Sequence, residues 1–505
     1  MRSKKAIKNI ITSIFQQIVT FVCGLIVPRA IIKTFGSSIN GLISSISQFL
    51  SYITLLEAGI GPVVRAALYK PIAKKDKSEI EKILKASQRF FRILSMIFIV
   101  YLIILCFVYP LMVAKQFEAG FTISLIIIIA ISTFAEYFFG MVYKMYLQAE
   151  QKTYVTSIIQ SMATILNAIC VVVLIKMNAS IQVVKLVSAF IFVLRPIMQN
   201  LYVKKKYNIN LKNVKEKYDL KQKWDGLAQH IAAIIHNNTD VAVLTIFTNT
   251  AEVSVYSVYY LVINGVKNIV QAFTGGVDAS FGDMIAKKEK ELLNKNFRTY
   301  EMFYYTVITI IYIITMIMIL PFVEVYVKGV TDVNYYRPAF AIIFVISQLN
   351  NSIRTPYSGL TLAAGHFRET RNGAWVESFL NIIISLVLVV KVGMVGVIIG
   401  TLIATTVRTI EFIYHTSKYI LERSKWDTVK RIVLLIVEFI LIVPVGMYIC
   451  SKFQVTSYLN WIIMAIIVSI VVAIIVIIIN IVVYRKDALA IVDILKRNFS
   501  KRREN

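Results

Sequence analysis

The chain has 505 residues, of which 57% are hydrophobic and only 16% are charged. Soluble globular proteins contain roughly 45–50% apolar and about 25% charged residues, so this composition excludes a soluble enzyme, a disordered protein and a secreted disulfide scaffold. The formal net charge of +27 would indicate a nucleic-acid partner in a soluble protein. The chain also contains long apolar runs, so we attribute the positive charge to cytoplasmic loops of a membrane protein and to their contact with anionic lipid headgroups.

Apolar runs long enough to cross a bilayer follow one another along the whole chain. The sequence predicts fourteen spans, at residues 10–28, 39–63, 92–113, 121–143, 154–175, 181–202, 226–247, 253–276, 302–323, 338–362, 374–391, 395–416, 432–450 and 459–483. We therefore predict an all-α, multi-pass membrane protein with fourteen transmembrane helices.

The basic residues alternate between the two sides of the predicted spans. The segments on one side hold 42 Lys and Arg, whereas the loops on the other side hold eight. Because positive loops stay in the cytoplasm, we expect both termini to be cytoplasmic and the protein to lie in the plasma membrane. No predicted outer loop exceeds about fifteen residues, so we expect no folded outer domain.

Residues 71–91 and 284–304 align at an offset of 213, with seven of 21 positions identical. Two basic cytoplasmic loops can resemble each other by composition alone, but both segments follow the second span of a six-span block, which favours a true repeat. Six intervening spans predict parallel repeats about an axis along the membrane normal, enclosing a central cavity. The predicted domains are an N-lobe at 1–202, a basic linker at 203–225, a C-lobe at 226–416, and two added spans with a basic tail at 417–505.

Several predicted spans carry polar side chains on one helical face. In the eighth span, Lys267 lies in the middle of such a stripe, and in the tenth span Arg354 does so. The other stripe and end positions are Arg29, Glu57, Arg65, Asn237, Asp240, Tyr260, Asn264, Asn268, Gln271, Ser347, Asn350, Asn351 and Ser358. Polar groups at bilayer depth usually face a cavity or a partner, so we predict that Asn237, Asn264, Asn268, Gln271 and Asn351 line the cavity.

The cations predict the charge of the cargo. Lys267 and Arg354 lie too deep to reach the membrane surface easily, whereas Arg29 and Arg65 either snorkel to headgroups or join them in the cavity. Guanidinium groups match phosphate oxygens well, so we predict an anionic, phosphate-bearing substrate bound by these four cations. Asp240 either neutralises a cation such as Arg29 or couples an ion. Glu57 likewise either pairs with Arg65 or couples an ion.

Common catalytic signatures are absent from the sequence. It contains no GxxxxGK[ST] phosphate-binding loop, no HExxH metal motif and no GxSxG nucleophile motif. We therefore predict a transporter without catalytic residues, cofactor or metal site, driven by an H⁺ or Na⁺ gradient, the membrane potential or the gradient of its cargo.

Two stretches resemble a known family. In residues 27–69 the order is Arg29, Gly36, Gly41-Leu42 and Glu57-Ala-Gly59, and residues 363–401 contain Gly365, Arg368, Glu377, Asn381, Gly393, Gly396 and Gly400-Thr401. Asp240 matches an Asp near the end of the family's seventh helix. In these motifs and their order the chain resembles Wzx-type polysaccharide flippases of the multidrug/oligosaccharidyl-lipid/polysaccharide (MOP) superfamily, which implies a MATE-like fold.

The resemblance implies a flippase that moves undecaprenyl-pyrophosphate-linked oligosaccharide from the inner to the outer leaflet by alternating access. The product would feed capsule, exopolysaccharide or cell-wall polymer assembly, with polysaccharide polymerase machinery as a further partner. Two alternatives from the same superfamily remain, a MATE-type drug or metabolite antiporter and a lipid II flippase. A membrane polysaccharide polymerase is less favoured, because it would need a large outer catalytic loop.

Overall fold

The computed structural model describes residues 2–57, 60–211, 214, 239–274, 277–366, 368–453 and 455–491. Within those ranges every regular element is a helix, which confirms the prediction of an all-α fold. Ten of the described helices are long and apolar enough to cross a bilayer. The chain is therefore a multi-pass membrane protein.

The predicted count of fourteen spans is compatible with these helices but stays a prediction. Among the four predicted spans that do not appear in the ten, the one at 39–63 is divided into shorter helices. The one at 226–247 is described only from residue 239. The remaining two, at 253–276 and 338–362, are helical over most of their length but carry the polar stripes, which lower their mean hydropathy.

Contacts divide the chain into two compact units. Unit 1 comprises Met1–Ser257 with Val330–Val333, and unit 2 comprises Val258–Gly329 with Asn334–Asn505. The predicted lobe boundaries stay a prediction, since most of the linker predicted at 203–225 lies outside the described residues.

Unit 1 is built from helices α1 to α9 and the helical residues 239–247. Leu42, Val64, Phe98 and Leu125 are fully buried in its core. The opposite side of α5 exposes apolar residues such as Leu111, which is 77% exposed, and such a surface suits lipid chains. The helices are α1 Arg2–Phe35, α2 Ser37–Ser51, α3 Thr54–Glu57, α4 Ile60–Lys74, α5 Lys77–Val113, α6 Ala119–Ala135, a π-helical turn Glu136–Gly140, α7 Met141–Ala149, α8 Thr153–Lys176 and α9 Ile181–Tyr207.

Unit 2 contains most of α10 and the helices after it. Its centre is α12, whose Ile313 and Ile317 form a core cluster with Val468 and Val472 of α17. The last predicted span is thus packed on the core of unit 2. The helices are α10 Thr250–Ala272, α11 Val277–Ala286, α12 Lys290–Tyr326, α13 Pro338–Ala363, α14 Arg371–Val392, α15 Met394–His415, a π-helical turn Thr416–Ile420, α16 Trp426–Ser451 and α17 Tyr458–Val483.

The aligned repeat segments adopt the same local structure. Lys75 and Lys288, 213 positions apart, have left-handed φ angles of 56° and 59°. Each donates its backbone N–H to the carbonyl three residues earlier, and the next residue donates to the carbonyl five residues earlier, a pattern that ends a helix. A helix of 37 residues follows in both places. The repeat in the sequence is therefore also a repeat in local geometry.

Candidate functional site

The predicted polar stripe of the eighth span lies on one accessible face of α10. Asn264, Asn268 and Gln271 are exposed and Lys267 is half-buried, whereas the opposite face, for example Tyr259, is fully buried. A polar face at bilayer depth is stable only against water, cargo or protein. Because protein does not cover these amides, the face is suited to an aqueous cavity.

Lys267 is the cation on this face. Within the described part of the chain it makes no hydrogen bond or ion pair, and the positive charge of Arg354 acts on it. A cation without an acidic partner in a membrane protein attracts an anion. The α10 face therefore carries a positive charge that no described residue of its unit neutralises through an ion pair.

The polar stripe of α13 has a different environment. Arg354 donates from Nη1 to Glu377 Oε1 over 2.6 Å and from Nη2 to Asn351 Oδ1. Asn350 donates to the hydroxyls of Thr405, at 3.0 Å, and Thr406, at 3.2 Å. This stripe is largely used in packing α13 against α14 and α15, and Ser347 is buried.

Arg354 begins a chain of alternating charges. Glu377 Oε2 lies 3.7 Å from Arg408 Nε, and Arg408 Nη1 lies 2.6 Å from Glu411 Oε2. Arg408 also donates to the Thr370 carbonyl over 2.7 Å. Two cations and two carboxylates balance, so this chain adds no net charge to the site.

In unit 1, Glu57 and Arg65 have separate partners. Glu57 ends α3 and accepts a hydrogen bond from the Tyr137 hydroxyl over 2.9 Å, whereas Arg65 in α4 donates to Gln148 Oε1 over 3.0 Å. The pairing considered for Glu57 and Arg65 is not among their contacts in the described residues. Ala58 and Gly59, between the two helices, lie outside those residues.

The remaining predicted positions are Arg29, Asp240 and Asn237. Arg29 is half-buried in α1. Asp240 is buried and accepts a hydrogen bond from the Tyr256 hydroxyl over 3.0 Å. Asn237 lies outside the described residues. The roles assigned to these three residues stay predictions.

A hydrogen-bonded cluster in unit 1 joins the start of α2 to segments far along the chain. The Ser37 N–H and hydroxyl donate to the two carboxylate oxygens of Asp332 over 2.6 and 2.7 Å. Asn40 donates to Ser254 over 2.8 Å. At Gly41 a Cβ would lie 1.6 Å from the Thr250 carbonyl oxygen, so only glycine allows this approach. We call these six residues the α2–α10 contact.

Comparisons with proteins of known sequence are negative: no family model matches the chain, and no curated protein matches it. Solved structures do match. The lipid II flippase MurJ in an inward closed conformation superimposes with a TM-score of 0.67 at 16% identity, over 95% of this chain and 99% of the flippase. An inward-facing MATE family multidrug resistance transporter of the MOP superfamily gives a TM-score of 0.57 at 15% identity, over 80% of this chain and 94% of the transporter.

The chain has the MATE-like fold. The Vibrio cholerae MATE transporter VcmN in its bent form supports this with a TM-score of 0.52 at 14% identity, over 83% of this chain and 97% of the transporter. These MATE transporters leave about a fifth of this chain outside the match, whereas the flippase leaves only a twentieth. The predicted fold class is thereby confirmed.

One charged network of this MATE-like fold has no counterpart among the residues predicted from the sequence. Glu301 in α12 is fully buried, 2.8 Å from Arg423 Nη2 and 3.2 Å from Arg431 Nε. Asp487 lies 2.8 Å from Arg431 Nη2 and 3.0 Å from Arg298 Nε. The partners are far apart in sequence, so no helical spacing indicated them. The network ties α16 and residue 487 to α12, which anchors the C-terminal helices.

Proposed function

We propose that this protein is a flippase for polyprenyl-pyrophosphate-linked oligosaccharide, moving it from the inner to the outer leaflet of the plasma membrane by alternating access. The likeness to a lipid II flippase over 95% of the chain carries this proposal. The MATE transporter matches only 80% of this chain. We therefore favour a lipid-linked substrate over a soluble drug or metabolite.

The α10 face supports an anionic headgroup. Lys267 has no acidic partner among the described residues, and the exposed amides beside it suit hydroxyl groups of a glycan. In this proposal the pyrophosphate binds near Lys267, with Arg354 of the same unit as a further cation and Asn351 as a further polar position. The cargo contacts predicted for Arg29, Arg65 and Asn237 stay predictions. Arg354 would have to share its charge between Glu377 and the cargo.

The α2–α10 contact supports alternating access. By the charge distribution of the loops, it lies at the outer ends of its helices. Its bonds are short and few, and Gly41 permits direct backbone contact. Such a contact can close an outer path in one state and open in another at a cost of a few hydrogen bonds, each worth about 1 kcal/mol. We propose that it is the outer gate.

We further propose coupling to H⁺ or Na⁺ through Asp240 or Glu57. Each carboxylate accepts a hydrogen bond from a tyrosine hydroxyl, which leaves it able to change partner or protonation state. The flipped product would pass to polysaccharide polymerase machinery.

Lipid II is the second candidate cargo, because the matched solved structure is that of a lipid II flippase. Lipid II and a polyprenyl-linked oligosaccharide share the pyrophosphate and the polyprenyl tail. The two candidates therefore use the same α10 face and differ only in the glycan.

A deletion strain tests both candidates. We expect lipid-linked oligosaccharide to accumulate on the cytoplasmic leaflet, and wild-type protein and Lys391→Ala, an exposed lysine at the end of α14, to clear it. Rescue of a strain that lacks its lipid II flippase would instead identify lipid II as the cargo. An unchanged leaflet distribution with altered drug sensitivity would overturn the flippase proposal and indicate an antiporter.

A further inference from the structure

A half-open cavity of about 380 Å³ lies in unit 1, between α2, α3, α6 and α9. It contains none of the residues assigned to the site above. Six hydroxyl side chains line it, together with one lysine and several apolar groups. The hydroxyls belong to Ser47, Ser51, Thr54, Ser132, Thr133 and Ser188.

Lys185 is the charged group of this cavity. It lies four residues after the start of α9 at Ile181, which places it about 6 Å along the helix. A side chain there could extend toward the membrane surface, but it lines the cavity instead. Across the described ranges it makes no hydrogen bond or ion pair. An ammonium in this position favours an anionic partner.

The hydroxyls face a ligand mainly as acceptors. Five of the six donate their own hydrogen to a backbone carbonyl of the same segment, at distances from 2.7 to 3.3 Å. A hydroxyl has one donor and two acceptor lone pairs, so an oxygen that donates in this way can still accept a hydrogen bond. Ser51 already accepts one, from Gln48 Nε2 over 3.3 Å. Chloride brings only acceptors and phosphate brings one or two O–H donors near neutral pH, whereas a sugar brings several.

The size of the cavity and its apolar walls agree with a sugar. Ligand pockets for small molecules occupy about 300–1,000 Å³, and this cavity falls in that range, well above the space that a single ion needs. Leu50 and Phe192 supply apolar surface, which suits the C–H face of a pyranose ring.

We propose that this cavity is a binding site for an acidic sugar unit, with its carboxylate on the Lys185 ammonium and its hydroxyls on the serine and threonine oxygens. The proposal rests on the proposed function, because it makes that sugar part of the lipid-linked cargo. It adds a substrate class to the flippase: glycans that contain a uronic acid or a similar acidic sugar.

The test is binding of glucuronate to the purified full-length protein in detergent, measured by saturation-transfer NMR, with glucose as the comparison sugar and with inorganic phosphate and chloride added as competitors. We expect glucuronate to bind more tightly than glucose. Lys185→Met should weaken glucuronate binding at least tenfold, and Lys185→Arg should keep most of the affinity for glucuronate. Lys176→Met, which removes an exposed lysine at the end of α8, should leave binding unchanged.

Thr133→Val keeps the proposal testable if Lys185→Met does not fold, because it removes one cavity hydroxyl with little change in shape. We expect Thr133→Val to weaken glucuronate binding severalfold. Equal binding of glucose and glucuronate, displacement of glucuronate by an equal concentration of phosphate or chloride, or wild-type affinity in Lys185→Met would each overturn the proposal. Since this assay needs no transport, glucuronate binding without flipping would overturn only the proposed function, and flipping without glucuronate binding would overturn only the cavity site.

Discussion

The polar stripes of α10 and α13 look alike in the sequence but differ in the structure. Each places amides and one cation on a single helical face. On α10 the amides are exposed and Lys267 has no acidic partner among the described residues. On α13 Arg354 is held by Glu377 and Asn351, and Asn350 by two threonines. Helical spacing thus identifies a polar face, but the neighbouring helices decide whether it can meet cargo.

The largest effect is expected at Lys267. Lys267→Ala should reduce transport of lipid-linked oligosaccharide about 10- to 100-fold, because one hydrogen bond to a charged group is worth about 1.5–3 kcal/mol. The melting temperature should not change, since Lys267 has no partner to lose in the described part of unit 2.

Leaflet-specific labelling in the deletion strain measures this effect, with Lys391→Ala as the control and Lys267→Arg as the conservative variant. Full transport by Lys267→Ala would remove the basis for treating α10 as the cargo face.

In the charge chain that begins at Arg354 of α13, Glu377→Gln should lower the thermal stability of the protein. It leaves the Arg354 and Arg408 guanidiniums, at 2.6 and 3.7 Å from its oxygens, without their shared carboxylate. Breaking a buried ion pair from one side costs about 3–5 kcal/mol, so we expect a clear fall in the melting temperature of the detergent-purified protein. A melting curve like that of the wild type would show that the charge chain is not structural.

A double-mutant cycle sharpens the comparison further. Arg354→Met and Glu377→Gln should couple by about 0.5–3 kcal/mol in thermal stability, as expected for residues in direct contact. Lys267→Ala combined with Glu377→Gln should be additive. If Arg354→Met and Glu377→Gln were additive as well, the ion pair would contribute nothing to stability and the contrast between the two stripes would fail.

The smallest effects are expected from replacing single asparagines, and they should differ between α13 and α10. Asn350→Ala should lower stability by about 1 kcal/mol, because it removes hydrogen bonds to Thr405 and Thr406. Asn264→Ala, at an exposed position, should leave the melting temperature unchanged and lower transport a few fold. Thermal melting and the leaflet assay on both variants provide the measurement, and a reversed pattern would contradict the assignment of the two faces.

Much of the fold could be predicted from local patterns. Apolar runs indicated the helices, and the similarity between 71–91 and 284–304 indicated a repeat that reappears as the same turn at Lys75 and Lys288. The predicted second span was harder, because α2 ends at Ser51 and α3 and α4 follow it. Its hydropathy is continuous, and hydropathy carries no signal for a helix break within an apolar run.

The site was predictable only in part. The stripe on α10 follows from its spacing. By contrast, the partners of Glu57 and Arg65 lie about 80 residues away along the chain, and the network around Glu301 joins residues more than 120 positions apart. Lys185 falls inside a predicted span, yet its position on the helix did not indicate the hydroxyl-lined cavity.

The sequence by itself therefore determined the membrane class, the helical faces and the local turns, since these depend on hydrophobic length, helical period and neighbouring residues. Only the tertiary structure decided which cations are neutralised, which polar face is open and where a cavity forms. The physical reason is that ion pairs and cavities depend on side chains that distant helices bring within a few ångströms of each other.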